Sequence, residues 1–200
     1  MRDDRVFVVA TDDTYAPAHY FEHLLLPRVK VFVLPTPAGS GLSAPVHVVD
    51  RLKNAFKNVK QKEEIQIGDE FWVFLDTDHH FLPNNVAGTL AALQTARHVG
   101  FEIAVSNPCF ELWLLLHHAD VPPGTVFSSC HEVDQKLRAV LGQYNKTSIK
   151  AGQFPLAQVP TAIQRARALE ATPDAPGDHS PQTAGTRVYR LLERLLPKSK

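Results

Sequence analysis

The chain has 200 residues and a mass of 22.2 kDa, a size that buries roughly 70% of the unfolded surface and needs no staples to hold a core. Twenty-one Lys and Arg balance twenty-one Asp and Glu, so the formal charge is zero, which excludes a generally basic, nucleic-acid-coating protein but not a local cationic groove. A hydrophobic share of 44% with 21% charged residues excludes a disordered chain, and the two cysteines, Cys109 and Cys130, provide neither a disulfide scaffold nor a four-cysteine zinc site.

Residues 6–10 form the first apolar run, too short for the core of a signal peptide. Residues 5–11 (RVFVVAT) read as a buried strand. A helix over residues 18–26 follows, carrying Tyr20, Phe21, Leu24 and Leu25 at helical spacing. Residues 29–34 (VKVFVL) make a second strand. A helix capped by Ser43 then runs through Val46, Val49, Leu52 and Phe56. Residues 70–75 (EFWVFL) form a third strand. The stripe Val86, Leu90, Leu93, Ala96 and Val99 gives another helix, and residues 101–105 (FEIAV) a fourth strand. Three of the four strands are near-continuous apolar runs, the pattern of parallel strands covered on both faces. Strand and helix alternate as in a Rossmann-like, doubly wound α/β fold with a mostly parallel four-stranded sheet.

Beyond Val105 the pattern becomes helical, over residues 110–117, 133–141 and 161–170. The turn-rich run 172–185 lacks apolar period and reads as an exposed loop. Val188, Leu191, Leu192 and Leu195 close the chain as a helix, with Arg187, Arg190 and Arg194 on its other faces. The expected organisation is an α/β core over residues 1–118 and a helical extension over 119–200. No stretch approaches the roughly 18 apolar residues of a membrane span. The expected setting is the cytoplasm, without membrane contact.

Ligands of open α/β sheets bind beyond the carboxyl ends of the strands. Asp12 and Asp13 follow the first strand, Asp76 and Asp78 the third, Ser106 and Asn107 the fourth. In an extended chain Asp76 and Asp78 point to the same side. Like charges held that close need a cation or a proton, and a hard divalent ion, Mg²⁺ or Mn²⁺, suits oxygen ligands. Asp12 or Asp13 would add to that set. Next to it, His79 and His80 are placed to touch substrate or a metal-bound water.

Residues 106–117 (SNPCFELWLLLH) are the most distinctive stretch. Pro108 suits the first turn of a helix that Asn107 can cap, which sets Glu111 one turn inside, near the strand ends. Cys109 lacks a partner histidine that would make it a nucleophile. Lys146 and Lys150 supply cations in a polar stretch, able to face a phosphate's developing charge.

The runs EFWVFLDTD at 70–78 and SNPCFELWLLLH at 106–117 resemble the RloB family of bacterial anti-phage, abortive-infection loci, itself similar to Toprim-fold nucleases. Tyr20-Phe21, SAP at 43–45, YNK at 144–146 and TRVYRLLE at 186–193 extend the likeness over almost the whole chain. The resemblance implies a Toprim-like domain in which a glutamate after the first strand and a D-x-D after the third bind Mg²⁺ and cut phosphodiesters. The D-x-D is Asp76 and Asp78. In place of the glutamate stands Asp12, one methylene shorter, and Asp13 replaces the glycine that follows.

The leading expectation is therefore a Mg²⁺- or Mn²⁺-dependent nuclease acting on RNA or DNA. Asp12, Asp13, Asp76 and Asp78 are its candidate metal ligands. Glu111 and Lys146 join Asp12, Asp76 and Asp78 as candidate catalytic residues, and Ser106, Asn107, His79 and Lys150 are candidate substrate contacts. The resemblance also implies a partner ATPase of the AAA or ABC type, and a homodimer stays open. Two alternatives stand beside it: a Toprim-like subunit of weakened catalysis that binds or regulates the ATPase, and a small-molecule phosphohydrolase.

Overall fold

Four strands run parallel because each is short and largely apolar, with a helix-forming segment between it and the next. In the computed structural model, which describes residues 3–62, 64–170 and 180–197, they are β1 (Arg5–Thr11), β2 (Val29–Leu34), β3 (Glu70–Asp76) and β4 (Glu102–Asn107). Their order is β2-β1-β3-β4. A fifth strand, β5 (Gly185–Thr186), pairs antiparallel with β4 through Ser106 and Asn107, so the sheet has five strands rather than the expected four. Gly185 is needed there, since a Cβ would lie 2.8 Å from the Pro181 Cβ.

Strand alternation sorts the core into two layers. Phe7, Val9, Trp72, Phe74 and Ala104 face one side. Val8, Ala10, Phe71, Val73 and Leu75 face the other. The second face is covered by α2 (Pro45–Gln61) and α4 (Val86–Val99) through Val48, Val49, Leu52, Ala92, Leu93 and Ala96. The first is covered by α1 (Ala16–His23) and by a continuous apolar cluster. That cluster reaches α5 (Glu111–Leu116), α6 (Cys130–Leu141), α7 (Val159–Leu169) and α8 (Val188–Leu195). Every residue of α5 is buried. Coverage on both faces holds for β1, β3 and β4; at the sheet edge, Phe32 of β2 remains half exposed.

Several boundaries depart from the sequence reading. Helix α1 starts earlier, at Ala16, with Pro17 in the first turn, where its missing N–H is no loss. Ala44 rather than Ser43 precedes α2. A helical turn, α3 (Thr77–His80), takes the place of an extended D-x-D. Arg187 does not face outward: it is buried and pairs with Glu170 at 3.0 Å. The expected loop over 172–185 falls partly on residues 171–179, which lie outside the described residues, and ends in β5. No helix among the described residues is long and apolar enough to cross a membrane.

Candidate active site

The strand order reverses direction between β1 and β3, with β2 on one side and β4 on the other. The carboxyl ends of strands flanking such a point diverge from one another and leave a crevice. A cavity of about 340 Å³ lies there, lined by Asp12, Asp13, Asp76, Asp78, Glu111 and Lys146, with His79, His80, Thr14, Tyr15, Ser43 and Cys130 around them. Residues from six separate parts of the chain thus meet on one edge.

Asp12 leaves β1 with a nearly buried side chain. Its Oδ2 accepts the Asp76 backbone N–H at 3.0 Å and lies 2.9 Å from His80 Nε2. Asp13 works in two directions. Its Oδ1 accepts the backbone N–H groups of Tyr15 and Ala16, closing the start of α1, and its Oδ2 pairs with Lys146 Nζ at 3.3 Å. Asp76 is the last residue of β3, and Asp78 sits two residues on, within α3. That turn is fixed from the neighbouring loop: the backbone N–H groups of Thr77 and Asp78 both donate to the Pro108 carbonyl, at 3.0 and 3.3 Å. The Asn107–Pro108 peptide is cis.

Electrostatics follow from this crowding. Burial, then the charges of Asp12, Glu111, Asp13 and Asp78, push Asp76 well above the ordinary carboxylate range. Burial also raises Asp78, partly offset by His79. Glu111 rises to about 7, again chiefly through burial, with Asp13 adding repulsion and Lys146 opposing it. Burial pulls the Lys146 ammonium down, but Asp13, Glu111 and Asp76 outweigh it and hold the group above its usual value. One lysine against five carboxylates is too little positive charge, so the cavity favours either protons or an added cation.

The donor set is the oxygen-rich kind that Mg²⁺ and Mn²⁺ prefer, and Asp12, Asp76 and Asp78 are the residues that would hold such an ion. Among the described residues, however, only Cys109, Glu111 and Cys130 bring three ligand atoms within 4.8 Å of one another. The aspartates share the cavity without gathering that tightly.

The site candidates named from the sequence divide clearly. Asp12, Asp13, Asp76, Asp78, Glu111, Lys146 and His79 all line the cavity. Ser106, Asn107 and Lys150 do not. Ser106 is buried and its hydroxyl shares a 2.8 Å hydrogen bond with Thr186. Asn107 caps no helix: Oδ1 accepts from Thr77 Oγ1 and Nδ2 donates to the Pro181 carbonyl. Lys150 lines a separate hollow with Arg138, Tyr144 and Gln153. Glu111 is the first residue of α5 rather than a residue one turn inside. Of the two histidines, His79 is largely exposed, whereas His80 is the one closed over Asp12.

The cysteines were the larger omission. Cys109 and Cys130 form a disulfide across 21 residues, with Cα atoms 5.7 Å apart. Their being the chain's only two was the available signal. No curated protein and no solved structure matches this chain. A model of the family described as RloB-like protein matches residues 7–195, and the chain belongs to that family.

Proposed function

We propose that this protein is a divalent-metal-dependent phosphodiester hydrolase, a nuclease on RNA or DNA. The observation that carries the reading is the acid-lined cavity at the β1/β3 crevice, which Asp12, Asp76 and Asp78 line together with a lysine on the rim. A bound Mg²⁺ or Mn²⁺ would supply Lewis-acid polarisation of a phosphoryl oxygen. Asp12, Asp76 and Asp78 are the side chains to hold it.

The remaining residues have their own tasks. Lys146, half exposed and anchored on Asp13, faces the cavity and offsets charge that develops on phosphate. Glu111, held near neutrality in its proton affinity, can keep or release a proton at working pH. With no net positive charge, non-specific grip on a polymer is weak, so affinity comes from the cavity or from a partner. The family resemblance supplies the rest of the proposal: an anti-phage role and an ATPase partner.

A second reading has one observation behind it. Asp12 Oδ2 is already engaged by the Asp76 N–H and His80, and both Asp13 oxygens are engaged too. A site tied up in this way suits a subunit of weakened turnover that binds or regulates its ATPase. Cleavage of labelled RNA and DNA with and without Mn²⁺ separates the two. The first reading expects metal-dependent products that vanish in Asp76→Asn. Absence of cleavage with every polymer and both metals, alone and with the ATPase, would favour the second.

A further inference from the structure

Glu111 is one of the most deeply buried charged residues in the chain, 1% exposed. Its Oε1 has no partner in good hydrogen-bond geometry. Its Oε2 lies 3.3 Å from Cys130 Sγ. A sulfur in a disulfide carries no hydrogen, so in the oxidised protein that contact sets lone pairs against lone pairs. A buried carboxylate in such surroundings is costly unless it gains a proton or a cation. The Tyr144 hydroxyl, also buried, faces this carboxylate, and Asp134 Oδ1, buried without a hydrogen-bond partner of its own, adds a further charge to the same region.

The neighbours are the ligands a borderline-soft ion requires. Cys109 and Glu111 stand two residues apart at the entry to α5, and Cys130 is the first residue of α6. Their three ligand atoms form the close group already noted. Cys130 also lines the acid cavity, which gives an ion a way in. Two thiolates and a carboxylate select Zn²⁺ over Mg²⁺. Three protein ligands leave a fourth position for water.

We propose that Cys109, Cys130 and Glu111 form a zinc site that opens only when the disulfide is reduced. The step balances with an external dithiol. That reductant delivers two electrons and two protons, the S–S bond breaks to give two thiols, and the reductant leaves as its own disulfide. Zn²⁺ then displaces the two thiol protons to solvent and binds both thiolates and Glu111. A small-molecule disulfide closes the site again: it takes two electrons from the two thiolates and leaves as two thiols, the S–S bond reforms, and Zn²⁺ is released. This site shares Glu111 and Cys130 with the wall of the acid cavity but none of Asp12, Asp76 and Asp78, and its zinc binding does not depend on the nuclease reading.

The test uses the full chain, reduced with a phosphine and titrated with Co²⁺ as a spectroscopic stand-in for Zn²⁺. The expected result is one equivalent bound with a thiolate-to-cobalt charge-transfer band, displaced by Zn²⁺. The oxidised protein and Cys130→Ser should give no such band. Glu111→Gln should weaken binding by at least about tenfold, and Asp76→Asn/Asp78→Asn should leave the band in place. A reduced wild type without the band, or a band that persists in Cys130→Ser, overturns the proposal. As a check independent of any variant's folding, Zn²⁺ should shield both thiols of the reduced wild type from alkylation. Thiols equally reactive with and without Zn²⁺ overturn it as well.

Discussion

Replacing Glu111 by Gln should stabilise the metal-free, oxidised protein at alkaline pH and do nothing at acid pH. The carboxyl rises from its ordinary 4.5 to about 7 on folding, mainly through burial. Two and a half pH units at about 1.4 kcal/mol per unit come to roughly 3 kcal/mol. The sign follows from proton binding. Below about pH 4.5 the group is protonated in both states and carries no penalty. Between pH 4.5 and 7 only the folded state keeps the proton, so stability falls as pH rises. Above pH 7 the ionised group carries its full cost in the fold. Glutamine, neutral throughout and nearly the same shape, escapes that cost. Urea denaturation of both proteins at pH 4.5, 6 and 8, in chelator and without reductant, measures the difference directly. At pH 8 Glu111→Gln should lead by up to about 3 kcal/mol, equivalent to roughly 6–12 °C in Tm for a chain of this length. A difference that stays constant across the pH range would refute the reasoning, as would a variant less stable than wild type at pH 8.

Asp76→Asn should lower metal-dependent cleavage by at least about 100-fold, the scale of several kcal/mol of metal-derived stabilisation, while raising stability at neutral pH because a neutral amide avoids the burial cost of the carboxylate and then the repulsion of its acidic neighbours; parallel cleavage and melting assays check both. Arg187→Ala should cost about 1–3 kcal/mol, since it removes a buried, charge-assisted partner of Glu170, while Arg190 and Tyr189 still hold that carboxylate; urea denaturation reads the loss. Gly185→Ala should cost about 1–3 kcal/mol through overpacking against Pro181, seen as a lowered Tm. Reduction in zinc-free buffer should lower stability by about 3 kcal/mol, the loop-closure value for a bridge spanning 21 residues.

Much of the sheet was legible because a parallel strand buried on both faces is nearly all apolar, as β1 and β3 are, and the edge strand β2, though partly exposed, keeps the same apolar, β-branched composition. The acids at the ends of β1 and β3 followed from position alone, since strand ends in this architecture converge on one edge. Other features needed tertiary information. Strand β5 is two residues, Gly185 and Thr186, too short to show any alternation. Ser106 and Asn107 lie at a strand end as a ligand would require, yet β5 and Pro181 claim their side chains. Lys146 reaches Asp13 across 133 residues of sequence, a distance at which spacing says nothing. His80 and His79 are neighbours of equal chemistry, and only the turn at α3 decides which one closes over Asp12. The position of Glu111 against two sulfurs depends on α6 packing on α5.

The proposed function rests on a divalent-metal site at Asp12, Asp76 and Asp78. Calorimetric titration of Mn²⁺ into the oxidised wild type, beside Asp76→Asn/Asp78→Asn, tests it most directly, because oxidation keeps the sulfur site closed. The wild type should show saturable binding that is lost in the double variant. Equal binding by both proteins, or none by the wild type, would contradict it.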